Sequence, residues 1–458
     1  MKYESILDSV GNTPLVRLNR LTQGLQCAIY GKLEFMNPGG SVKDRVAKYM
    51  LLEAEKRGDI APGGTLIECT SGNTGMGLAM FARARGYKTV FTVNDKQSQA
   101  KIDTLRAMGA EVIVCPTAVA PEDPRSYTQV ARKLAAEIPN SFLCNQYDNP
   151  DNAKAHYETT GAEIWNDSEG RITHFVCAMG TCGTITGTGK FLKERNPNIK
   201  VIGVDPQGSI FYDYFHHKKL IKGHVYKLEG IGEDFFPKVL DWRYIDDIVQ
   251  VSDKEGFIMA RKLARCEGIF SGGSAGAAVV VALRAASGLG PKDLMVVFLP
   301  DGGRQYLSKI YNDAWMRENQ YMEAEIQLTV LDVLSHKTIK ELVYVAPSDT
   351  AMAAIKTLRD IDSSQLPVVE AKTVVGTVYE DDMINLVLQD KDPHSIVVRE
   401  LMHEPLPALG LDATLEDITW FIPGKYPAVL VDMGGGRYDI ITKFDLVMTV
   451  GALAEGKR

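Results

Sequence analysis

The segment PGGSVKDR, residues 38–45, places a lysine shortly after two glycines, at the start of a predicted helix. A buried, unpaired ammonium group is costly, so nearly all of the 51 lysine and arginine side chains must lie at the surface. Ser41 is a suitable N-cap for the helix predicted from DRVAKYMLLEAEKRG. A reactive amine at Lys43 therefore depends on the groups that the rest of the chain supplies.

A glycine-rich turn joins a predicted strand to a helix in HFVCAMGTCGTITGTGKFLKE, residues 174–194. Such a turn directs backbone N–H groups and a helix N-terminus at one point, which suits a phosphate. A Walker P-loop would need glycine at Thr184 and serine or threonine at Phe191, and the dinucleotide fingerprint would need glycine at Leu192. The remaining GTCGT, residues 180–184, predicts a monophosphate cup, with an ordinary tight turn as the alternative.

Two further strand-to-helix junctions carry small polar residues. In LIECTSGNTGMGLAMFA, the helix start is lined by Thr70, Ser71, Asn73 and Thr74, whose hydroxyl and N–H groups suit a carboxylate. In GIFSGGSAGAAVVVALRAA, Ser271 and Ser274 precede a helix. Each junction taken alone is better explained as a capped helix.

The combination of these junctions with Lys43 favours chemistry. Open parallel sheets bind ligands at the carboxyl ends of their strands, so the three junctions are expected to meet. A lysine, a phosphate cup, a carboxylate loop and a serine pocket are the parts needed to hold pyridoxal phosphate and an amino acid. The lysine amine would condense with the aldehyde if its pKa is lowered by desolvation or by a nearby cation.

The elements that must position these residues alternate between strand and helix up to about residue 310. The predicted strands are KTVFTVN, EVIVCP, HFVCAMG, KVIGVDP and LMVVFLP, and their continuous apolar character fits burial between two layers of helices. The predicted helices are GNTGMGLAMFARARG, SQAKIDTLRAMG, SYTQVARKLAAEI and DKEGFIMARKLAR. This rhythm predicts parallel sheets flanked by helices.

A polar stretch, DAWMRENQYMEAEIQLTV, precedes a weak internal repeat with an offset of roughly 60 residues. Each copy reads helix, strand, strand, helix. We therefore predict a domain at 1–315, a linker at 316–340 and a repeat module at 341–458, with copies at about 341–395 and 396–455.

Composition excludes several classes of protein. The net charge of −7 comes without a basic block, which argues against nucleic acid or an anionic membrane as a partner. The seven cysteines contain no CxxC pair, so neither a metal site nor a disulfide framework is predicted. The N-terminal residues lack an apolar signal core, and we expect a cytoplasmic protein.

Five motifs together resemble the cysteine synthase and cystathionine β-synthase family of fold-type II pyridoxal-phosphate enzymes: GNTPLVRL, PGGSVKDR, TSGNTG, GTCGTITG and SGGSAG. The resemblance covers about residues 3–315. The segments VDPQGS, LEGIGEDFFP and CNQYDNPDNAKAHYETT are similar to family members that use homocysteine. The repeat resembles the paired CBS motifs of a Bateman module.

The resemblance assigns roles by motif position. Lys43 becomes the Schiff-base lysine, Asn73 the partner of the cofactor's ring hydroxyl, and Ser274 the partner of its pyridine nitrogen. The phosphate cup is Gly180, Thr181, Cys182, Gly183 and Thr184. The substrate is held by Thr70, Ser71, Thr74, Gln146 and Gly232. A neutral serine hydroxyl does not keep the ring nitrogen protonated, which favours prompt β-elimination over transamination.

The Bateman module and two departures complete what the resemblance implies. An adenosine-ligand pattern is kept as Thr442 and Asp445, whereas Tyr379 replaces the threonine that precedes Asp382 in the first copy. Glu233 stands where animal members have tyrosine, which alters the expected thiol pocket. The N-terminal extension that binds haem in animal members is missing, so no haem is expected.

The implied reaction is β-replacement that joins L-serine to L-homocysteine, with L-cysteine as an alternative first substrate that would release hydrogen sulfide. The family also implies a homodimer or a higher homo-oligomer. One alternative is a cysteine synthase that uses O-acetylserine and sulfide. Another is a silent sensor in which the Bateman module binds an adenosine compound and the first domain only supports it. In animal members such a module responds to S-adenosylmethionine, and the alternative is that the module governs assembly by packing against a neighbouring subunit.

Overall fold

The computed structural model describes residues 2–70, 72–97, 99–120, 122–322, 329–337, 342–422 and 426–454. The chain divides into two compact units, Met1–Glu323 and Ala324–Arg458. Within the described residues, no helix is long and apolar enough to cross a membrane, and no group of three or more His, Cys, Asp or Glu side chains could hold a metal ion.

The first unit contains ten strands and eleven α-helices among its described residues. The strands are β1 Leu15–Arg17, β2 Ala28–Leu33, β3 Thr65–Cys69, β4 Lys88–Asn94, β5 Glu111–Cys115, β6 Ser141–Leu143, β7 His174–Ala178, β8 Lys200–Pro206, β9 Asp247–Val251 and β10 Leu294–Leu299. The helices are α1 Lys43–Arg57, α2 Asn73–Arg85, α3 Gln99–Ala107, α4 Tyr127–Glu137, α5 Asp151–Ala155, α6 Ala162–Asp167, α7 Gly183–Arg195, α8 Phe211–His217, α9 Asp253–Glu267, α10 Gly273–Ala286 and α11 Asp313–Glu318. A π-helix, His156–Gly161, joins α5 to α6.

Two sheets organise this unit. The larger sheet has the order β1-β2-β10-β7-β8-β9, in which only β1 runs antiparallel to its neighbour. The smaller sheet has the order β5-β4-β3-β6 and is parallel throughout. All six residues of β10 are buried, as expected for a central strand covered on both faces. The carboxyl ends of β3 and β7 lead to the loops with Thr70 and Gly180. The predicted junction at Ser271 and Ser274 is not a strand-to-helix junction, because it lies between α9 and α10.

The cores of the first unit pack the helices onto these sheets. One apolar cluster joins α1 and α2 through buried residues such as Met50, Leu78 and Phe81. A second lies on the larger sheet around Phe175, Val201 and Phe298. Burial of this apolar surface supplies the main driving force for holding the loops in place.

The second unit follows the predicted repeat. Its strands are β11 Gln365–Glu370, β12 Thr373–Tyr379, β13 Ala408–Gly410, β14 Ala428–Asp432 and β15 Tyr438–Thr442, and its helices are α12 Val330–His336, α13 Ala351–Asp360, α14 Glu380–Leu388, α15 Leu415–Phe421 and α16 Lys443–Ala454. The first copy pairs β11 with β12, and the second forms β13-β14-β15. The predicted order of helix, strand, strand and helix is therefore found in each copy.

Candidate active site

Lys43 is the first residue of α1, and the N-cap position lies at Val42, one residue after the predicted cap at Ser41. Val42 has helical dihedral angles, and it makes no side-chain cap bond. Ser41 is fully buried and forms a β-bridge with Asp301, so the helix begins only after it. The Ser41 hydroxyl nevertheless accepts the N–H of Lys43 at 3.2 Å, as a capping side chain does. The ammonium nitrogen Nζ of Lys43 lies 3.4 Å from Thr181 Oγ1, across the cavity from α1.

The surroundings of Lys43 favour the neutral amine. Burial lowers the pKa of the Lys43 ammonium group, while the nearby Cys177 and Cys182 and the carboxyl groups of Asp301 and Glu233 raise it by a smaller amount. A lowered pKa increases the fraction of Lys43 side chains that are neutral amines with a free lone pair at neutral pH. The lysine can therefore act as a nucleophile and as a base.

Arg45, two residues further, anchors the start of α1 to the protein interior. Its guanidinium group is almost fully buried, and it bonds Glu34 at 2.7 Å and Glu163 at 2.6 Å. Removing one partner of such a buried pair leaves an uncompensated charge. The lysine is thus carried on a helix end that cannot shift without breaking this network.

The phosphate cup forms where β7 ends and α7 begins. Thr186 is the first residue whose N–H joins the helical ladder, donating to the carbonyl of Cys182, so the N–H groups just before it are available to an anion. Cys182 adopts a left-handed conformation with φ of 62°. Seven of the predicted residues line one cavity: Lys43, Asn73, Gly180, Thr181, Cys182, Thr184 and Ser274.

The predicted carboxylate loop opens onto a larger cavity of about 650 Å³ that also reaches Lys43. This cavity is lined by Thr70, Asn73, Thr74, Gln146 and Gly232, whereas Ser71 lies outside the described residues. Thr74 Oγ1 donates to Gln146 Oε1 at 2.6 Å, and Thr70 Oγ1 accepts the N–H groups of Gly72 and Gly75. Residues 72 positions apart are thus joined into one polar wall beside the lysine.

The structure adds a carboxyl group that the sequence interpretation missed. Asn73 Nδ2 donates to Asp301 Oδ2 at 2.9 Å, and Asn73 Oδ1 accepts from Gln305 at 2.7 Å. Asp301 also accepts from the Tyr306 hydroxyl at 2.7 Å. Asp301 directly follows LMVVFLP at the carboxyl end of β10, which is where a parallel sheet places ligand contacts. Its position directly after a predicted strand was the sequence feature that could have identified Asp301.

Glu233 is half-buried and lines the cavity that contains Lys43. It accepts a hydrogen bond from the Tyr147 side chain, and burial raises the pKa of its carboxyl group to about 7. The Glu233 backbone is held by Ser209, whose hydroxyl accepts its N–H at 3.1 Å. Ser209 belongs to VDPQGS, so two of the family-like segments meet at this side chain.

Gly232 lies beside the site, but its N–H already donates to the carbonyl of Met179 at 2.6 Å. Its φ is 74°, and a Cβ there would lie 2.4 Å from Pro206 Cγ and 2.7 Å from the Tyr226 hydroxyl. Only glycine lets this loop lie against the end of the larger sheet. Its structural contribution is therefore to place Glu233.

In the second unit, the Thr-x-x-Asp pattern forms a helix cap. Thr442 Oγ1 donates to Asp445 Oδ2 at 2.7 Å, and the N–H groups of the two residues bond each other's side chains. In the first copy, Asp382 accepts the N–H of Tyr379 and lies 2.8 Å from Nε2 of His403. Both aspartates therefore already have partners within the fold.

The residues of the first unit fit pyridoxal phosphate by the chemistry of their side chains. The start of α7 and two threonine hydroxyls offer donors to a phosphate, and Lys43 offers an amine of lowered pKa in the same cavity. Asn73 and the buried Ser274 line that cavity as polar groups for the ring. The lysine, the predicted cup and the serine thus line one cavity, and their roles toward the cofactor stay predictions.

Comparison with known proteins gives a consistent result. Residues 6–301 match the family described as pyridoxal-phosphate dependent enzyme, and residues 332–389 match the CBS domain. The chain is 40% identical to a cystathionine beta-synthase of Dictyostelium discoideum over 97% of this chain and 91% of the relative. It is 42% identical to cysteine synthase 1 of Neurospora crassa, over 70% of this chain and 86% of that protein.

A solved structure shares the fold of the first unit. The O-acetylserine dependent cystathionine beta-synthase from Helicobacter pylori matches with a TM-score of 0.62 and 40% identity. The match covers 68% of this chain and 100% of that chain.

Proposed function

Because this chain belongs to the cystathionine β-synthase family of pyridoxal-phosphate dependent enzymes, we propose that it condenses L-serine with L-homocysteine to give L-cystathionine and water. The reaction class is a pyridoxal-phosphate dependent lyase reaction with β-replacement. One observation carries the choice of substrates: Lys43, the carboxylate loop and the carboxyl group of Glu233 line a single cavity of about 650 Å³.

When bound, the cofactor supplies an aldehyde for amine exchange and an electron sink for cleavage at Cα. Lys43 is the residue that holds the cofactor covalently. The cup at residues 180–184 would hold its phosphate, Asn73 would bond its ring hydroxyl and Ser274 would be the partner of its ring nitrogen. Asp301 and Gln305 fix the orientation of the Asn73 amide, which would present it to the ring in a fixed orientation.

The first substrate is oriented by its carboxylate. Thr70, Thr74 and Gln146 contact this group, with Ser71 assigned by the family motif. Thr74 donates to Gln146 in this structure, so this bond would have to open before both side chains contact the substrate. Lys43 Nζ, freed by amine exchange, removes the Cα proton as a general base and later returns a proton to the same carbon.

The second substrate is selected by charge. Homocysteine brings an ammonium group that inorganic sulfide lacks, and the Glu233 carboxylate is positioned in the cavity to bind it. Since Tyr147 donates to Glu233, the carboxylate keeps a fixed orientation. A cysteine synthase acting on O-acetylserine and sulfide has no need of this carboxyl group.

The test compares nucleophiles on the purified holoenzyme. Incubation with serine and homocysteine should yield cystathionine, and sulfide should be the poorer nucleophile. Lys43→Ala should abolish turnover and the visible colour of the covalently held cofactor. A colourless wild-type protein would favour the silent sensor, and faster turnover of O-acetylserine with sulfide would favour cysteine synthase.

Further parts of the proposal follow from the family. L-cysteine replaces serine as first substrate and releases hydrogen sulfide. The protein is a cytoplasmic homodimer, with the domain bounds 1–315, 316–340 and 341–458. The module matched as a CBS domain binds an adenosine compound through Thr442 and Asp445.

A further inference from the structure

Two fully buried polar side chains, Asn152 and His156, lie four residues apart on the segment that packs beneath the phosphate cup. Asn152 Nδ2 lies 3.1 Å from Thr181 Oγ1, and His156 Nε2 lies 3.1 Å from Thr184 Oγ1. Each threonine hydroxyl of the cup therefore contacts a buried nitrogen of this segment, and the Thr181 hydroxyl also lies 3.4 Å from Lys43 Nζ. Residues four apart on a helical segment share a face, which explains how both reach the cup.

Close contact between the backbones of α5 and α7 allows these side chains to reach the cup. A Cβ at Gly183 would lie 1.9 Å from Asn152 Oδ1, and a Cβ at Gly187 would lie 2.0 Å from the carbonyl oxygen of Ala153. The glycines of α7 thus let the cup approach α5 until short side chains span the gap. The glycine-rich sequence GTCGTITGTG has a second function beyond the turn itself.

The helical segment is irregular where His156 lies. The π-helix begins at His156 and includes Thr160, whose Oγ1 lies 2.9 Å from His156 Nδ1. The imidazole ring also packs edge-on against Phe298. Single π turns are rare and are found frequently at functional sites.

The hydrogen bonds of His156 determine where its proton lies. The pKa of the imidazole is well below its usual value, chiefly because the ring is buried and also because Arg45 and Lys43 are near. A neutral imidazole has one N–H and one acceptor nitrogen. If the Thr160 hydroxyl donates to Nδ1, then Nε2 carries the proton and donates to Thr184.

We propose that Asn152 and His156 are positioning residues for the cofactor phosphate. Their N–H groups donate to the oxygens of Thr181 and Thr184, so each hydroxyl proton is left to be donated to a phosphate oxygen. The proposal rests on the assignment of the cup at residues 180–184. It assigns to the segment NPDNAKAHYETT a role that the motif analysis left open.

The test measures cofactor binding rather than turnover. His156→Leu removes the donor, whereas His156→Gln keeps an amide N–H at a similar reach. We expect the dissociation constant for pyridoxal phosphate to rise roughly tenfold in the leucine variant and much less in the glutamine variant. Binding of pyridoxal, which lacks the phosphate, should be unchanged in both variants.

A second readout follows the phosphate directly. The ³¹P resonance of the holoenzyme should shift in His156→Leu and return toward the wild-type position in His156→Gln. If the leucine variant does not fold, Thr160→Val replaces it in this test. Thr160→Val keeps the side-chain volume but removes the donor to His156 Nδ1, and it should shift the same ³¹P resonance. An unchanged resonance in Thr160→Val would then overturn the tautomer that we assign.

Two controls separate this proposal from the cup assignment. Thr184→Val should weaken pyridoxal phosphate binding, and without such an effect the assignment of the cup would fail. If Thr184→Val weakens binding but His156→Leu does not, the role of His156 is wrong. If His156→Leu weakens the binding of pyridoxal phosphate and of pyridoxal equally, His156 has a general packing role, and the proposal is overturned.

Discussion

The side-chain amide of Asn73 lies between two residues from the C-terminal part of the first unit. It donates to Asp301 at 2.9 Å and accepts from Gln305 at 2.7 Å. Asp301 is buried, and within the part of the chain that the structure describes, one of its carboxyl oxygens, Oδ1, has no hydrogen-bond partner. The orientation of a side chain assigned to the cofactor ring is therefore set by a carboxyl group more than 200 residues away.

Asp301→Asn tests this relationship. An asparagine amide can present N–H to Asn73 in place of an acceptor, so the Asn73 amide is expected to lose its fixed orientation. We expect cofactor affinity to fall by roughly tenfold, the value of one hydrogen bond to a charged group. Titration of the apoprotein with pyridoxal phosphate measures the change. Gln305→Glu is the matched control, because it keeps the reach of the side chain but removes the donor to Asn73.

Glu233→Gln tests the selection of the second substrate. Loss of the negative charge should raise KM for homocysteine by roughly 10- to 100-fold, whereas KM for serine should change little. Steady-state kinetics with each substrate varied in turn gives both constants. Sulfide serves as the control nucleophile, since it has no ammonium group. An equal loss with homocysteine and sulfide would contradict this assignment.

The same variant tests the pH dependence of stability. Burial raises the pKa of the Glu233 carboxyl group from 4.5 to about 7, so the folded protein holds this proton more tightly than the unfolded chain. Its contribution to stability is present below the unfolded pKa and is lost as the pH rises through about 7. Urea unfolding should show Glu233→Gln gaining stability relative to the wild type as the pH rises. A difference independent of pH would exclude this titration.

Gly232→Ala tests the loop that carries Glu233. Gly230 and Gly232 both have positive φ, 78° and 74°, but only at Gly232 would a Cβ meet neighbouring atoms. Gly230→Ala should cost about 1–2 kcal/mol through backbone strain alone, and Gly232→Ala should cost about 1–3 kcal/mol more through overlap with Pro206. Urea unfolding of the two variants measures the difference. An equal decrease in the free energy of unfolding in both variants would show that the loop moves away from Pro206 at no cost.

Thr442→Ala tests the cap on α16. Removal of the Thr442 hydroxyl should destabilise the second unit by about 1 kcal/mol, the usual value of an N-cap. Thr414 makes the same reciprocal bonds with Asp417 at the start of α15, so Thr414→Ala is the matched control. Thermal unfolding should show similar losses for both. A Thr442→Ala variant of wild-type stability would indicate that this pair serves a ligand alone.

The amino-acid sequence determined the individual strands and helices of the first unit. The predicted family and fold class are confirmed, and β4 and β8 have the predicted bounds, Lys88–Asn94 and Lys200–Pro206. These predictions succeeded because apolar periodicity and turn residues act over short distances along the chain. The cap predicted at Ser41 differs from the structure by one residue, because Val42 occupies the N-cap position, while the Ser41 hydroxyl still accepts the N–H of Lys43.

The sequence by itself supplied the motifs that carry Lys43, the glycine cup and the carboxylate loop, since each is a continuous run around one turn. Only the tertiary structure decided which partners orient them: Asp301 beside Asn73, Tyr147 beside Glu233, and His156 beneath Thr184. These side chains come from separate elements, and their hydrogen bonds form only after helices and sheets have packed. No spacing along the chain encodes such a contact, because the distance between the two groups is set by the buried apolar core.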